Sequence, residues 1–247
     1  MTSVVAYPLT AGVQAGAKAD GLLLAIRLGL RIPSPTFVLD PQTLSLFADG
    51  HPVRLPVELQ DCGACIARPS FHIPFKQADS VSGIGDSFTF DGSEQFPGAI
   101  RSVMSSLERA RATVRGGGLK APVSMLLQPL LTGEGGLLHA GGLLFGERLI
   151  VRLAWRREGP AAVVAGTEPA NELAVVGLRP LKLVGTPADV HVATDVLGPP
   201  VLRELALACQ ALARATKGPV EVEWVHTIRR EVIVLQVQPL YEPVGDI

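Results

Sequence analysis

The sequence predicts a mixed α and β protein folded in two lobes. Three observations lead there: two β-rich runs near the end that read as a hairpin, long amphipathic helical stretches, and a Gly116-Gly117-Gly118 hinge dividing the 247 residues into parts of similar size. A chain of this length buries a substantial core, as one large domain or as two lobes. The expected lobes are residues 1–115 and 119–247.

In the closing hairpin, Glu221 and Glu223 alternate with Val222 and Trp224, and Gln236 and Gln238 alternate with Leu235 and Val237. Successive side chains of a strand point to opposite faces, so one face is core and the other carries two carboxylates and two amides able to meet across the strands. Taken alone, that polar face also reads as an ordinary solvated surface.

Along the chain, Gly12 to Gly21 forms a Gly-rich entry to a helix over Leu22–Leu28, with Gly29, Pro33 and Pro35 as stop signals. Amides at such a helix start, with Lys18, suit phosphate oxygens. The spacing matches neither a Walker loop nor a dinucleotide fingerprint. Thr36–Leu39 reads as a strand, and Arg68 follows a short buried run where a strand emerges into a loop. Ser80 to Phe88 is a turn rich in hydroxyls and glycine, of the kind that cradles an anion. Glu94–Arg115 is an amphipathic helix whose apolar side holds Phe96, Ile100, Val103, Met104 and Leu107.

Beyond the hinge, Val123–Leu131 reads as a buried strand carrying one amide, Gln128. Leu143–Phe145, Leu149–Trp155, Ala161–Gly166, Leu173–Leu183 and Val190–Ala193 extend the β pattern, and Pro200–Ala215 is a helix leading into the hairpin. His139 reads as a loop or core-edge histidine. His226 sits at the hairpin turn near Glu223, and His51, His72 and His191 show no partner in sequence.

The 22 basic and 23 acidic residues nearly cancel, so no global field gathers nucleic acid or an anionic membrane surface. No apolar run approaches the roughly 20 residues that span a bilayer. The N-terminus lacks the order of a signal peptide, and the expectation is a cytoplasmic protein. Cys62, Cys65 and Cys209 are an odd count without an export signal. Cys62-Gly63-Ala64-Cys65 has redox or zinc spacing, but no second ligand pair accompanies it, so reduced structural cysteines are expected.

Five stretches in order carry a family resemblance. They are Gly16–Leu22 with Leu28–Pro33, then Ile66–Ser70, Ser80–Phe88, Val151–Pro169, and Gly218–Trp224 with Leu235–Pro239. Together they resemble the nucleotide-binding domain of the phosphoenolpyruvate synthase and pyruvate phosphate dikinase family, to which rifampin phosphotransferase belongs. The resemblance covers nearly the whole chain. It implies an α+β, ATP-grasp-like fold with two lobes and a cleft between them, and a phosphotransferase using ATP and Mg²⁺ on a small-molecule substrate.

Carried over by position, the resemblance makes Lys18 and Arg68 phosphate contacts, places Gly83 and Ser87 in the phosphate-covering loop, and sets Gln128 near adenine or ribose. It makes Glu223 and Gln236 the Mg²⁺ ligands, and Lys18, Arg68 and Glu223 the catalytic set. Hard oxygen ligands suit Mg²⁺, and cations with oriented amides offset phosphate charge during transfer. The family's phosphohistidine and phosphoenolpyruvate-binding domains would begin where this chain ends, which implies a separate phosphohistidine-domain protein as partner.

Departures from the family pattern support a second reading. Gln238 stands where the family carries a phosphate-binding arginine, and an amide does not replace a bidentate cation. His72–Lys76 occupies the place of an acidic pair, and Arg156-Arg157-Glu158-Gly159 that of a glycine-rich turn. On this reading the domain is repurposed, binding an apolar small molecule or catalysing an ATP-independent reaction such as a cyclisation. Gly135-Gly136-Leu137-Leu138-His139-Ala140 echoes a phosphocarrier histidine signature with one residue of spacing wrong.

Overall fold

The computed structural model describes residues 4–10, 13–75, 84–113, 121–140, 151–165 and 169–240. The expected Gly116–Gly118 hinge, Gly12, Ser80–Gly83, the strand at Leu143–Phe145 and Gly166 lie outside the described residues. The chain forms two compact units, residues 1–23 with 33–130 and residues 24–32 with 131–247.

In chain order the first unit carries β1 (Val4–Val5), β2 (Tyr7–Pro8), α1 (Ala17–Arg27, which continues into the second unit), β3 (Phe37–Leu39) and α2 (Pro41–Ala48). It continues with β4 (Val53–Arg54), α3 (Val57–Gln60), β5 (Ala64–Phe71), β6 (Phe88–Asp91), α4 (Gly92–Thr113) and β7 (Val123–Pro129). Its main sheet has the order β2-β3-β7-β5-β6, with every neighbouring pair antiparallel.

The period of two decides the faces of this sheet. Phe37, Leu39, Ala67, Phe71, Met125 and Leu127 turn toward one core, which Ile100, Val103 and Leu107 of α4 complete with Leu44 of α2 and Leu59 of α3. Burying each of the larger side chains among these, the phenylalanines, leucines, valine, isoleucine and methionine, contributes about 1.5–3 kcal/mol. Val38, Ile66, Arg68, Ser70, Ser124, Leu126 and Gln128 occupy the opposite face by the same alternation. β7 is buried along its whole length. The expectation that it opens the C-terminal lobe is overturned by its pairing, since its backbone bonds to β3 and β5 in the middle of the first sheet. Arg68 lies inside β5 rather than at a strand exit, because Ser70 and Phe71 continue the ladder opposite Ser124 and Val123.

α2 starts where Asp40 caps it, the carboxylate accepting from Thr43 N at 2.6 Å with Pro41 in the first turn. Burial by itself would raise the Asp40 carboxyl, but hydrogen bonds from Tyr7 and Thr43 outweigh it and hold the group below its ordinary value. Burial, then the Asp40 hydrogen bond, pushes the Tyr7 phenol up to about 12. The signs are opposite. The Asp40 contribution is present above the unfolded carboxyl value and is lost as pH falls through the lower folded one; the Tyr7 contribution is present below about 10 and is lost as pH rises through about 12. Asp40→Ala is expected to cost about 1 kcal/mol in urea unfolding at neutral pH, with the difference from wild type shrinking in acid. An unchanged midpoint at neutral pH would remove the cap from the account.

The second unit holds β8 (Gly133–Ala140), β9 (Val151–Arg156), α5 (Pro160–Ala165), β10 (Asn171–Leu178), β11 (Leu181–Gly185), α6 (Pro187–Val196), α7 (Gly198–Thr216), β12 (Val220–Thr227) and β13 (Val232–Pro239). The sheet order is β11-β10-β9-β8-β12-β13, antiparallel throughout. Along the outer strand, Val234 N donates to Arg31 O at 2.8 Å, which ties the 24–32 segment to this unit. α7 packs its buried Leu202, Leu205, Ala206, Cys209, Leu212 and Ala213 toward the sheet, whose own buried face includes Trp155, Val222 and Trp224.

Three expectations fail in this unit. Val190–Ala193 belongs to α6, because Thr186 caps it, accepting from Asp189 N at 3.1 Å, and Pro187 fixes its first turn. Ala161–Ala165 is helical in α5, started by Pro160 after Gly159 at φ +97°. Gly133–Ala140 is a strand at the centre of the sheet rather than a loop. Glycine is required there: a Cβ on Gly136 would run into the Ala154 carbonyl oxygen of the neighbouring strand.

The three thiols are free and lack activation. Burial raises Cys65 to about 11 and pushes the fully enclosed Cys209 still higher, while burial followed by Asp61 raises Cys62. Cys62 and Cys65 donate to the carbonyls of Glu58 and Leu59, as structural thiols do. No single helix among the described residues is long and apolar enough to cross a membrane.

Candidate functional site

The sequence-predicted residues fall into two groups, one in each unit. In the first, the chain enters α1 through Gly16 at φ +85°, seated so closely on β5 that an added Cβ would lie 2.6 Å from Phe71 O. Ala19 N then donates to Ser70 Oγ at 3.4 Å. Half-buried Lys18 precedes Ala19 in the first helical turn, and half-buried Arg68 sits two residues before Ser70 on the same sheet face. That bond ties the start of α1 to β5 across 51 residues of sequence, with Lys18 preceding Ala19 on the helix and Arg68 two residues from Ser70 along the strand.

Gln128 lies on that same face and is 1% exposed. Its amide donates to Thr36 Oγ1 at 3.2 Å, and the Thr36 hydroxyl donates to Pro33 O at 2.5 Å. The amide therefore ties β7 to the segment before β3. Ser87 is exposed, next to Asp86, whose N–H donates to Ser106 Oγ at 2.8 Å. Gly83, its expected companion in the phosphate loop, lies outside the described residues. His72, without a partner visible in sequence, meets buried Ser124 at 2.7 Å.

The second group is the polar face of the β12–β13 hairpin. Glu223 stands opposite Gln236 and Glu221 opposite Gln238 in the ladder, as the alternation predicts. Gln238 Nε2 donates to Glu221 Oε1, and Gln236 Nε2 donates to Gln238 Oε1 at 2.9 Å. Both amides are buried, at 5% and 8% exposure, while both carboxylates are half-buried. A buried polar chain of this kind holds its members in one orientation.

Sequence reasoning missed the next member. β8 pairs with β12 so that His139 faces Glu221, and His139 Nε2 lies 2.7 Å from Glu221 Oε2. β9 in turn places Arg152 opposite His139. One row therefore crosses four strands as Gln238, Glu221, His139 and Arg152. The usable signal was the alternation of Gly135, Leu137 and His139, hidden by glycines that lower strand propensity. His226 belongs to the other face, buried and 3.5 Å from Glu134, so it is not a partner of Glu223. The exposed His191 meets Asp195 at 3.1 Å one turn along α6.

A carboxylate and an amide facing each other offer hard oxygens to a cation. Mg²⁺ is commonly held by one or two protein oxygens, with phosphate oxygens and waters completing its shell, and Glu223 with Gln236 fits that donor chemistry. Among the described residues no three His, Cys, Asp or Glu side chains gather to hold a metal.

No protein-family model and no curated protein matches the chain. Among solved structures it is similar to D-alanyl-alanine synthetase A from Vibrio cholerae, at 8% identity and TM-score 0.46, covering 92% of this chain and 55% of that one. It is also similar to an L-amino acid ligase from Bacillus licheniformis, at 14% identity and TM-score 0.46, covering 92% and 43%. A third is the ATP-grasp ligase PsnB complexed with minimal precursor, Mg and ADP, at 14% identity and TM-score 0.35, covering 92% and 52%. The chain spans about half the length of these structures. Its α+β class rests on the two antiparallel sheets themselves.

Proposed function

We propose that this chain is an ATP-grasp-like domain that binds MgATP and serves a phosphotransferase of the phosphoenolpyruvate synthase type, with a separate phosphohistidine-domain protein as partner. The observation that carries the reading is the registered pair Glu223 and Gln236 on the polar face of the closing hairpin. Support also comes from Lys18 in the first turn of α1 and Arg68 on β5, the two elements that the Ala19–Ser70 hydrogen bond joins. In this role Lys18 and Arg68 hold phosphate oxygens as fixed cations, while Glu223 and Gln236 direct oxygens at the metal. Mg²⁺, when bound, neutralises charge on the transferring phosphoryl group. Titration calorimetry with ATP is expected to show binding that strengthens on adding Mg²⁺. Absence of heat at millimolar nucleotide, with or without the metal, would sink the proposal.

One observation favours the second reading, a repurposed domain that no longer transfers phosphate. At the family's arginine position stands buried Gln238, whose amide is bonded to Glu221 and Gln236. A neutral amide in that network supplies no cation to a phosphate chain. The same calorimetry separates the two readings.

A further inference from the structure

Outside the residues assigned so far, the first unit carries a cavity of about 440 Å³ between α4 and the end of α2 with the turn that follows it. That volume lies in the range of small-molecule sites. Phe47, Val53 and Met104 give it an apolar lining, Phe47 and Met104 being half-buried against the core of the unit. α4 covers the Phe37 and Met125 face of the first sheet, whereas Arg68 and Gln128 lie on the opposite face. The cavity is therefore separate from the groups proposed for nucleotide.

Arg101 and Glu108 line it from α4. Seven positions make nearly two full turns, so both leave the helix on one side, about 10 Å apart along its axis. Both are exposed, and neither side chain has a hydrogen-bond or ion-pair partner among the described residues. Met104 and Ser105 occupy the interval between them. The Ser105 hydroxyl accepts from Arg109 Nη1 at 3.0 Å and keeps its own proton to donate. From the other wall comes His51, whose backbone N–H donates to Leu46 O at 2.9 Å and whose ring has no partner among the described residues.

We infer that this cavity binds a short apolar peptide with free termini, about three residues long, its carboxylate directed to Arg101, its ammonium to Glu108 and its middle side chain to Phe47, Val53 and Met104. Three extended residues span about 10 Å, which matches the spacing of the two charges. The Ser105 hydroxyl and the His51 ring supply hydrogen bonds for the peptide groups between the ends. Other ligand classes fit less well. A single amino acid is too short to reach both charges, a phosphate or bare carboxylate is repelled by Glu108, a simple amine is repelled by Arg101, and a hydrocarbon leaves the polar groups without partners. This site does not depend on the MgATP reading, so it is tested without nucleotide.

The experiment is ligand-observed saturation-transfer NMR on the full chain. The probes are the tripeptide alanyl-valyl-alanine, its C-terminal amide, its N-acetyl form, free L-valine, and ω-aminooctanoate, which matches the charge spacing but has no peptide groups. The tripeptide is expected to saturate with a Kd of about 1 mM, and each blocked form to bind about 5-fold more weakly, the scale of one exposed ion pair. Valine and ω-aminooctanoate should both bind more weakly than the tripeptide. Arg101→Gln is expected to erase the preference over the amide, and Glu108→Gln the preference over the acetylated form. The inference is overturned if the tripeptide shows no saturable binding, if any of the other probes binds as tightly, or if either preference survives its variant. The probe comparison uses the unaltered protein, so it decides even if a variant fails to fold.

Discussion

Glu223→Ala is expected to abolish the Mg²⁺-dependent gain in ATP affinity, leaving the same weak binding with and without the metal. On the MgATP reading Glu223 supplies the anionic oxygen of the pair with Gln236. Loss of a charge-assisted contact of this type costs about 1.5–3 kcal/mol, a weakening of about 10- to 150-fold. Gln236→Ala removes a neutral ligand and should cost less, while also releasing the bond from Gln236 to Gln238. Glu231→Gln is the control, because its bond to Arg31 at 2.7 Å is exposed and surface pairs contribute about 0–1 kcal/mol. Full Mg²⁺ dependence in Glu223→Ala, measured by calorimetry, would show that the metal assignment is wrong.

Trp155→Ala is expected to destabilise the protein by about 3–5 kcal/mol, read from urea unfolding. Trp155 is fully buried in β9, and truncation leaves a cavity that the flanking strands of a six-stranded sheet cannot collapse to fill. Trp155→Phe should cost less than the alanine variant, because it keeps a six-membered ring in place and leaves a smaller cavity. The indole N–H of Trp155 has no hydrogen-bond partner among the described residues, so phenylalanine gives up volume but no hydrogen bond. A Phe variant as unstable as the Ala variant would contradict this account.

The parts of the fold that were legible in sequence are those where one physical rule acts without competition. Alternation in the β12–β13 hairpin placed Glu221 and Glu223 on one face and Gln236 and Gln238 on one face, and the ladder and the bonds among them agree. Periodicity near 3.6 found α4 and α7, whose apolar positions are buried. Errors arose where two signals compete. Val190–Ala193 and Ala161–Ala165 are rich in valine, which favours strands, yet a threonine cap with proline in one case and a Gly-Pro start in the other turned both into helices. β8 was hidden for the opposite reason, since its glycines lower strand propensity while the close approach of β9 demands them.

Within the candidate site, chemistry was more legible than proximity. Single residues such as Lys18, Arg68, Glu223 and Gln236 stood out by type and order. The pairing of His139 with Glu221, 82 residues apart, and of His72 with Ser124, 52 apart, depends on which strands become neighbours. No local pattern encodes that choice. The division of the chain shows the same limit, because glycine content marked 116–118 while the pairing of β7 carries the first unit through Leu130.

That interleaving also bears on how the protein is made. As the chain leaves the ribosome, β3 and β5 have no shared neighbour until β7 arrives between them, so a nascent first unit ending before residue 129 holds two unpaired inner edges. Arg31 waits longer still, since Glu231, its ion-pair partner, is made 200 residues later. An order of synthesis that leaves edges open favours capture by chaperones and slow final assembly, as expected where contacts join distant parts of a chain.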